Sequence, residues 1–552
     1  MIPMLPGDTS AHRKARGAFY TPPGVARFIV EWAVRTPADS VLEPSCGEAV
    51  FLHECAAVAG FAGSLKGVEL HRDSARHAEG ELRAAGVEAT VDVGDFFLRE
   101  PVAEFDAVVG NPPYVRYQSF SGESRRRSRA AALRAGVNLT GLASSWAAFV
   151  IHSALHLRDG GRLGLVLPAE LLTVNYASSV RRFLMDHFSS VGLVLFSERV
   201  FAGVQEEVVL LLADGFRRDG TRGTDHCEVY QVADAEDLAT LSIAQHPEPQ
   251  RWRPASKSAK WSGSMLSTSG AQVFESLTAT TSFVSLSHWG RTKLGMVTGN
   301  NTYFALSPAR VAELGLTSSD LIPISPPGSR HLRELTLTGS ALDALGVDDR
   351  ATWLFRPDGA PSRAARRYIA AGEATGVNTA YKCRVRAPWW RVPYLPPPDL
   401  FLTYMNADTP RLCTNRHRAH HLNSVHGVYA ADGLRRDAMD LLPLASLNSV
   451  TLLGAETIGR AYGGGLLKVE PSEAAQLPMP SPDLLAAHRP ELSHIRPAVV
   501  RALRARRLAD AVALVDAVLL TDALSLDDAA VDTLRADHRH LSGRRAARAK
   551  GL

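Results

Sequence analysis

The chain has 552 residues, of which 45% are hydrophobic and 21% charged, and a formal net charge of +4. These values exclude a disordered or strongly acidic protein and predict a globular chain of two or three domains, with a mild positive charge compatible with a polyanionic partner. The 5 cysteines form no C-x-x-C pair, and no apolar run reaches about 18 residues, so we expect a cytoplasmic protein without a metal site, a disulfide framework or a membrane segment.

Strand and helix patterns alternate along the first part of the chain. Short apolar runs bounded by turn residues predict strands, and apolar residues at helical spacing predict the helices between them. This alternation predicts an α/β domain with a mostly parallel sheet that is covered by helices on both faces. The predicted strands are Ser40–Glu43, Ser64–Leu70, Ala89–Val93, Phe105–Val109, Arg162–Leu167, Val191–Phe196 and Glu207–Leu212. The predicted helices are Val25–Val34, Val50–Ala59, His71–Ala85, Ser145–Leu157 and Val180–Phe188.

The composition changes along the rest of the chain. Ser121–Gly141 is polar and rich in arginine, which indicates either an exposed, mobile loop or a loop that contacts phosphates. Residues 246–261 are rich in Pro, Ser, Arg and Lys and predict a linker after a first domain at 1–245. Residues 262–480 lack the alternation and predict a second, α+β domain, followed by a helical region with a basic tail at 481–552.

Asn111-Pro112-Pro113-Tyr114 directly follows the predicted strand that ends at Val109-Gly110. The two prolines end the strand and fix an extended turn at its carboxyl end, where open α/β sheets bind ligands. The Asn111 side-chain oxygen and the Pro112 carbonyl offer two acceptors for one amino group, and the Tyr114 ring can stack on a flat base. The motif therefore indicates a site for the exocyclic amino group of a nucleobase, although Asn-Pro and Pro-Pro also occur in ordinary turns.

Three further strand ends carry residues suited to a nucleoside. Glu43–Leu52 follows the first strand as a turn of small residues that opens a helix, where a ligand can approach the backbone. Glu69 ends the second strand, where an acidic side chain commonly accepts ribose hydroxyl groups. Asp95 and Phe96 follow the third strand and are suited to the amino group and the face of an adenine. Together these strand ends predict a nucleoside-bearing cofactor along the carboxyl edge of the sheet.

These motifs resemble the gamma-class, Taq-type DNA adenine-N6 methyltransferases that use S-adenosylmethionine. Gly17–Pro22 resembles their amino-terminal motif, and Glu43–Leu52 resembles their first turn, in which the family usually has a second glycine where this chain has Ala49. Asp159–Pro168 matches a later strand, and Val200-Phe201 matches the segment whose aromatic ring stacks on the extruded base. The resemblance implies a Rossmann-like methyltransferase domain followed by a DNA target-recognition domain. The cofactor-binding residues that it implies are Tyr20, Thr21, Glu43, Ser45, Cys46, Gly47, Glu69, Asp95, Phe96 and Asn111.

The resemblance also implies an activity, which is methyl transfer to the N6 amino group of a flipped-out adenine in double-stranded DNA. Asn111, Pro112 and Tyr114 fall on the catalytic motif, and Tyr114 and Phe201 fall on the positions that stack the base. We expect a monomer, with a cognate restriction endonuclease as a genetic partner rather than a bound subunit. Cytosine N4, RNA adenine and protein glutamine are alternative substrates, and a catalytically degenerate DNA-binding protein is a further alternative.

Two segments of the second predicted domain carry side chains suited to DNA. Leu294–Phe304 resembles a glycine–asparagine segment of target-recognition domains. Tyr381–Arg391 interleaves cations with aromatic rings, which suits phosphate contact and base stacking, although a tryptophan-rich core strand would show the same pattern. The glycine-rich segment Gly459–Lys468 lacks the phosphate-loop pattern. The predicted DNA-contacting residues are Asn300, Asn301, Lys382, Arg384, Arg386, Arg391 and Arg416.

Overall fold

The computed structural model describes residues 21–115, 122–196, 207–241 and 249–547. The chain divides into two compact units, Met1–Thr268 and Ser269–Leu552. Two residues with a predicted role, Tyr20 and Phe201, lie outside the described residues, as does the basic tail from residue 548 onward.

The first unit is built on one nine-stranded sheet. Its strands are β1 (Val41–Glu43), β2 (Leu65–Glu69), β3 (Ala89–Val93), β4 (Phe105–Gly110), β5 (Leu157–Pro168), β6 (Phe188–Phe196), β7 (Val208–Phe216), β8 (Cys227–Val232) and β9 (Gln250–Trp252). The strand order is β3-β2-β1-β4-β5-β7-β6-β8-β9. The first five strands in this order run parallel, and β7 lies antiparallel between β5 and β6. The mostly parallel α/β fold that the sequence predicted is confirmed.

Helices precede and separate the strands of this sheet along the chain. They are α1 (Pro23–Ala33), α2 (Val50–Ala56), α3 (Arg72–Ala84), α4 (Gly122–Leu133), α5 (Ser145–Leu155), α6 (Glu170–Thr173), α7 (Ser178–His187) and α8 (Ala235–Thr240). β1 lies between β2 and β4, with Val41 beside Leu65 and Ala107. Ala107, Val108 and Val109 are completely buried, as expected for a central strand covered on both faces. The carboxyl ends of β1 to β4 therefore meet at one edge of the sheet.

α4 lies within the arginine-rich stretch Ser121–Gly141, for which the sequence predicted a loop. The buried positions of α4 are the small residues Ser128, Ala131 and Ala132. Small residues give a weak apolar stripe, so the sequence pattern could not distinguish this helix from a polar loop.

The prediction of a linker at 246–261 is wrong for residues 249–261, the part of this segment that the structure describes. β9 lies in this segment and pairs antiparallel with β8, and the rings of Trp252 and Trp261 are buried in the core of the first unit. Composition concealed these buried tryptophans because a mostly polar stretch with one proline separates them. The first unit consequently extends to Thr268 rather than ending at residue 245.

The second unit contains several small sheets. The strands of this unit are β10 (Phe283–Ser285), β11 (Gly290–Leu294), β12 (Ala305–Leu306), β13 (Leu321–Pro323), β14 (Thr336–Leu337), β15 (Trp353–Phe355), β16 (Leu400–Thr403), β17 (Met405–Asn406), β18 (Leu412–Asn415), β19 (Val425–Ala430), β20 (Arg460–Tyr462), β21 (Leu466–Lys468) and β22 (Pro478–Pro480). The largest sheet has the order β11-β19-β16-β18-β14, and smaller ones have the orders β12-β15-β13, β17-β21-β20 and β10-β22.

The helices of the second unit fall before, between and after these strands. They are α9 (Thr268–Thr278), α10 (Leu286–Trp289), α11 (Asn301–Phe304), α12 (Pro308–Leu314), α13 (Gly339–Val347), α14 (Arg363–Ala374), α15 (Tyr381–Arg384), α16 (Arg435–Ala445), α17 (Ser449–Ile458), α18 (Pro471–Ala474), α19 (Pro482–Ala487), α20 (Arg489–Arg504), α21 (Leu508–Asp516) and α22 (Asp528–Ala547). Among the described residues, no single helix is long and apolar enough to cross a membrane, and one bent pair, α16 with α17, passes that test by length and composition only.

The carboxyl-terminal helices pack within the second unit rather than forming a region of their own. The buried Asp516 carboxylate accepts hydrogen bonds from the Ser449 backbone N–H and hydroxyl at 2.8 and 2.7 Å. Arg545 in α22 forms a buried ion pair with Glu456 in α17 at 2.7 Å. The predicted division between 262–480 and 481–552 therefore does not separate two units, because side chains on both sides of it share one core.

Candidate active site

The side chain of Asn111 is fixed by a residue from the amino-terminal segment. Asn111 follows β4 directly, and its Nδ2 donates a hydrogen bond to Oγ1 of the buried Thr21 at 3.1 Å. An amide has one donor side and one acceptor side, so this bond determines where the acceptor oxygen lies. The predicted motif at Gly17–Pro22 thus meets the predicted catalytic motif at the edge of the sheet, at least through Thr21.

The rest of the turn is held by α5 and β5. The Ser145 hydroxyl, at the first position of α5, donates to the Pro113 carbonyl and accepts from the Val115 N–H at 2.9 Å. The hydroxyl of the buried Tyr114 donates to the Val166 carbonyl in β5 at 3.0 Å. These bonds use the Pro113 carbonyl and not that of Pro112, the second acceptor of the predicted motif.

The carboxylate of Glu69 connects the ends of β1 and β2. It accepts hydrogen bonds from the Gly47 N–H at 3.1 Å and from the His71 N–H at 2.9 Å. Cys46 is buried beside β2, where a side chain on Gly67 would lie 3.0 Å from the Cys46 sulfur. The lack of a side chain at Gly67 therefore allows the first turn to lie against β2, which brings Gly47 within reach of Glu69.

Glu43 is buried beneath the same turn. Its carboxylate accepts a hydrogen bond from the Leu52 N–H in α2 at 3.3 Å. Burial raises the pKa of Glu43 well above its usual value, and the nearby Glu69 carboxylate acts in the same direction. Burial likewise raises the pKa of the Cys46 thiol, so Cys46 is not a reactive thiolate. Glu43 and Cys46 therefore pack beneath the first turn, on the side that faces the core.

The first turn contains two residues with left-handed backbone, Gly47 at φ +50° and Ala49 at φ +56°. A side chain on Gly47 would meet no atom within 4 Å, so this position faces open space. Ala49 has no exposed surface, and its methyl group is therefore packed in the core rather than in that space. The Ser45 hydroxyl oxygen is buried and has no hydrogen-bond partner among the described residues. An open glycine and an orphaned hydroxyl fit a ligand that lies over this turn.

Asp95 presents its carboxylate at the end of β3. One oxygen accepts a hydrogen bond from the Phe97 N–H at 3.0 Å. The other lies 3.2 Å from a guanidinium nitrogen of Arg127 in α4. The sequence did not indicate this partner, because it lies in the stretch that was predicted to be a loop.

The prediction that the Phe96 ring offers its face to an adenine is wrong. The ring is 3% exposed and packs against Phe149 at 5.5 Å, His152 at 4.7 Å and His156 at 5.2 Å between ring centroids. Burial lowers the pKa of His152 to about 4 and that of His156 to about 3, so both rings are neutral at physiological pH. Phe96 is a core residue that fixes the backbone next to Asp95. Sequence reasoning missed Phe149, which is one of many apolar residues in α5.

Comparison with known proteins identifies the first unit. Residues 4–237 match the family model described as N-6 DNA methylase. The first unit therefore contains an N-6 DNA methylase domain, and the matched region includes all four strand ends described above. The chain is a DNA methyltransferase, as the sequence motifs indicated.

The second unit of this methylase also matches a family model, and two relatives match most of the chain. Residues 258–520 match the carboxyl-terminal domain of the type II methyltransferase M.Eco57I. Over 495 residues the methylase is 28% identical to the type II methyltransferase M.XamI of Xanthomonas campestris pv. amaranthicola, covering 87% of this chain and 88% of that protein. It is 21% identical over 476 residues to M.AccI of Acinetobacter calcoaceticus, covering 84% and 85% of the two chains.

Two segments that were predicted separately for DNA contact pack together in the second unit of the methylase. The Arg386 guanidinium donates to the carbonyls of Val297 and Thr298, the latter at 2.8 Å. A side chain on Gly299, which has φ +88°, would lie 2.9 Å from the Lys382 Cβ. The Arg386 guanidinium therefore joins the two segments by bonding their backbone, and its contact with DNA stays a prediction.

The other predicted DNA contacts differ in exposure. Asn300 caps α11 by accepting from the Tyr303 N–H at 3.1 Å, and Arg416 pairs with Asp440 at 3.1 Å. The exposed residues of the set are Asn301, Lys382, Arg384, Arg391 and Arg416. Lys382 and Arg391 each lie 5.5 Å from the ring centroid of the preceding aromatic residue.

Within the described parts of the methylase, no group of three or more His, Cys, Asp or Glu side chains is placed to bind a metal ion.

Proposed function

We propose that this methylase transfers a methyl group from S-adenosylmethionine to the N6 amino group of adenine in double-stranded DNA. The observation that carries the proposal is the turn Asn111–Tyr114 at the carboxyl end of β4, held by Thr21, Ser145 and Val166. In the proposed site this turn would offer the Asn111 amide oxygen and the Pro112 carbonyl as two acceptors for one amino group. Its relatives are named type II methyltransferases, which supports a role as the modification enzyme of a restriction–modification pair.

The strand ends fit the parts of S-adenosylmethionine, which supplies a methyl group on a positively charged sulfur. Glu69 would accept the ribose hydroxyl groups, and Asp95 would accept the adenine amino group. The open side of Gly47 leaves room for the ligand at the backbone, and the orphaned Ser45 hydroxyl lies in the same turn. Thr21, with Tyr20 before it in sequence, would lie toward the methionine end.

The proposed chemistry requires positioning rather than a strong base. The N6 lone pair of adenine is delocalised into the ring and is a poor nucleophile. Hydrogen bonds from the amino group to the Asn111 oxygen and the Pro112 carbonyl would localise that lone pair and direct it at the methyl group. A target atom inside a duplex is out of reach, so the base would be flipped out and stacked by Tyr114 and Phe201. The anchored hydroxyl of Tyr114 supports this role because it fixes the ring before the base arrives.

The exposed cations of the second unit are our candidates for DNA contact. Lys382, Arg384 and Arg391 are exposed and lie in one segment with aromatic residues, and Arg386 holds that segment to the Val297–Thr298 backbone. Cations beside aromatic rings can bind phosphates and stack on bases. We propose that this segment contributes to DNA binding in a chain that acts as a monomer.

The test is to incubate the protein with methyl-labelled S-adenosylmethionine and unmethylated DNA, digest the DNA and identify the labelled nucleoside. Labelled N6-methyladenine is the expected result. Labelled N4-methylcytosine would contradict the adenine assignment while retaining the chemistry. Parallel reactions with RNA and with protein test the alternative substrates, and label in either of them but not in DNA would overturn the proposal.

A further inference from the structure

The carboxylate that we propose for the cofactor adenine is already engaged by an arginine from another element. Arg127 in α4 lies 3.2 Å from Asp95 Oδ2, while Asp95 Oδ1 accepts from the Phe97 N–H. The side chains of Arg127 and Asp95 are 36% and 16% exposed, so the ion pair lies at the surface of the sheet edge. A ligand amino group that approaches Asp95 therefore meets Arg127.

We propose that Arg127 is a positioning residue that competes with the adenine amino group of the cofactor for Asp95, so that cofactor binding releases the start of α4. This inference rests on the proposed function and adds a link between the cofactor site and a helix that follows the catalytic turn in sequence. The Arg127 guanidinium would contact the Asp95 carboxylate in the cofactor-free protein. It would leave that carboxylate when the adenine amino group of the cofactor binds there.

The contacts of α4 indicate which part of the helix is released. At its amino-terminal end, Glu123 pairs with Arg126 and with Arg127, and these contacts stay within the helix. Near its carboxyl-terminal end, Arg134 pairs with Glu100 at 2.8 Å and remains attached to the loop after β3. The ion pair between Arg127 and Asp95 joins the first half of α4 to the sheet edge. Release is therefore expected there and not at Arg134.

The experiment compares two ligands that differ at the amino group that would face Asp95. S-adenosylhomocysteine carries the 6-amino group, and S-inosylhomocysteine carries an oxygen in its place together with a hydrogen on N1. Their affinities are measured by calorimetry for the wild-type protein, for Arg127→Ala and for Arg126→Ala, a neighbour that pairs with Glu123 but not with Asp95. We expect Arg127→Ala to bind S-adenosylhomocysteine roughly two- to fivefold more tightly, as fits a partly exposed ion pair. S-inosylhomocysteine should bind wild type and variant alike, and Arg126→Ala should match wild type with both ligands.

A second readout follows the helix itself. Hydrogen exchange in the first half of residues 122–133 should increase when the wild-type protein binds S-adenosylhomocysteine. In Arg127→Ala the exchange should be high with and without ligand.

The outcomes separate this inference from the proposed function. Weaker binding of S-adenosylhomocysteine by Arg127→Ala, or an equal effect of the substitution on both ligands, would overturn the competition while leaving the cofactor site in place. Failure of the wild-type protein and both variants to bind S-adenosylhomocysteine would overturn the proposed function and this inference with it.

Discussion

Thr21 and Asn111 lie 90 residues apart in sequence, and a hydrogen bond of 3.1 Å joins their side chains at the carboxyl edge of the sheet. Thr21 is buried and precedes α1, whereas Asn111 directly follows β4. The hydroxyl accepts from the amide nitrogen, so the segment before α1 controls the orientation of the proposed catalytic amide. In our account Thr21 is thus a positioning residue, which acts through Asn111.

Thr21→Val tests this relationship. Valine keeps the shape of the side chain but removes the acceptor that Thr21 offers to the partly buried Asn111 nitrogen, which costs about 1–3 kcal/mol. If that energy is lost from the positioned state, the single-turnover rate of methyl transfer falls roughly five- to hundredfold. Thr21→Ser retains the hydroxyl and should keep most of the rate. Equal rates for the valine and serine variants would remove the hydrogen bond from the account.

Gly47→Ala tests whether a ligand lies over the first turn. Alanine at φ +50° costs about 1–2 kcal/mol of stability, although its methyl group meets no atom within 4 Å. A bound cofactor would meet that methyl group, so we expect calorimetry to show affinity for S-adenosylmethionine reduced by about tenfold or more. Gly86→Ala is the matched control, because Gly86 has φ +74°, the same open surroundings and a place at the end of α3. Equal affinities in the two variants would contradict the proposed cofactor position.

Arg384→Ala and Arg386→Ala should affect different properties of the second unit. Arg384 is exposed, and loss of a phosphate contact would weaken DNA binding and reduce the salt slope by about 1. Arg386 donates to the carbonyls of Val297 and Thr298, so its loss should lower the free energy of unfolding by about 1–3 kcal/mol. DNA titrations at several salt concentrations and urea unfolding measure the two effects. An unchanged salt slope for Arg384→Ala would exclude it as a phosphate contact.

Much of the first unit could be predicted because its signals are local. The strand ends Glu43, Glu69, Asp95 and Asn111 lie along one sheet edge as the sequence indicated, since parallel strands with helical crossovers bring their carboxyl ends together. Pro112 and Pro113 marked the end of β4 in the sequence, because two prolines end a strand.

The features that the sequence did not reveal depend on contacts between distant segments. The pairing of Arg127 with Asp95 needs a helix in a stretch with a weak apolar stripe, and the burial of Phe96 depends on residues of α5. Arg386 lies 89 and 88 residues after Val297 and Thr298, whose carbonyls it contacts. Spacing along the chain does not encode such contacts, and composition alone suggested DNA contact for Arg386.

The buried histidines behind Phe96 predict how stability depends on pH. Burial lowers the pKa of His156 to about 3, and neither ring nitrogen has a hydrogen-bond partner among the described residues. Above about pH 6.5 the ring is neutral in both the folded and the unfolded chain, and as the pH falls below this value only the unfolded chain takes up the proton. Stability should therefore decrease from about pH 6.5 toward pH 3.

His156→Phe should remove part of this dependence. We predict that the difference in the free energy of unfolding between the variant and the wild-type protein is roughly 1–2 kcal/mol more favourable to the variant at pH 5 than at pH 8. The reason is that the unfolded variant no longer binds the proton at this position. Urea unfolding at both pH values measures the difference. A gain of the same size at pH 5 and pH 8 would mean that His156 does not contribute to the pH dependence.

The most direct test of the central claim compares the wild-type protein with Asn111→Ala in the same transfer reaction on unmethylated DNA. We predict labelled N6-methyladenine with the wild-type protein and none with Asn111→Ala, while calorimetry and DNA titration show that the variant still binds cofactor and DNA. Substantial transfer by Asn111→Ala, or no labelled nucleoside with the wild-type protein, would contradict the account.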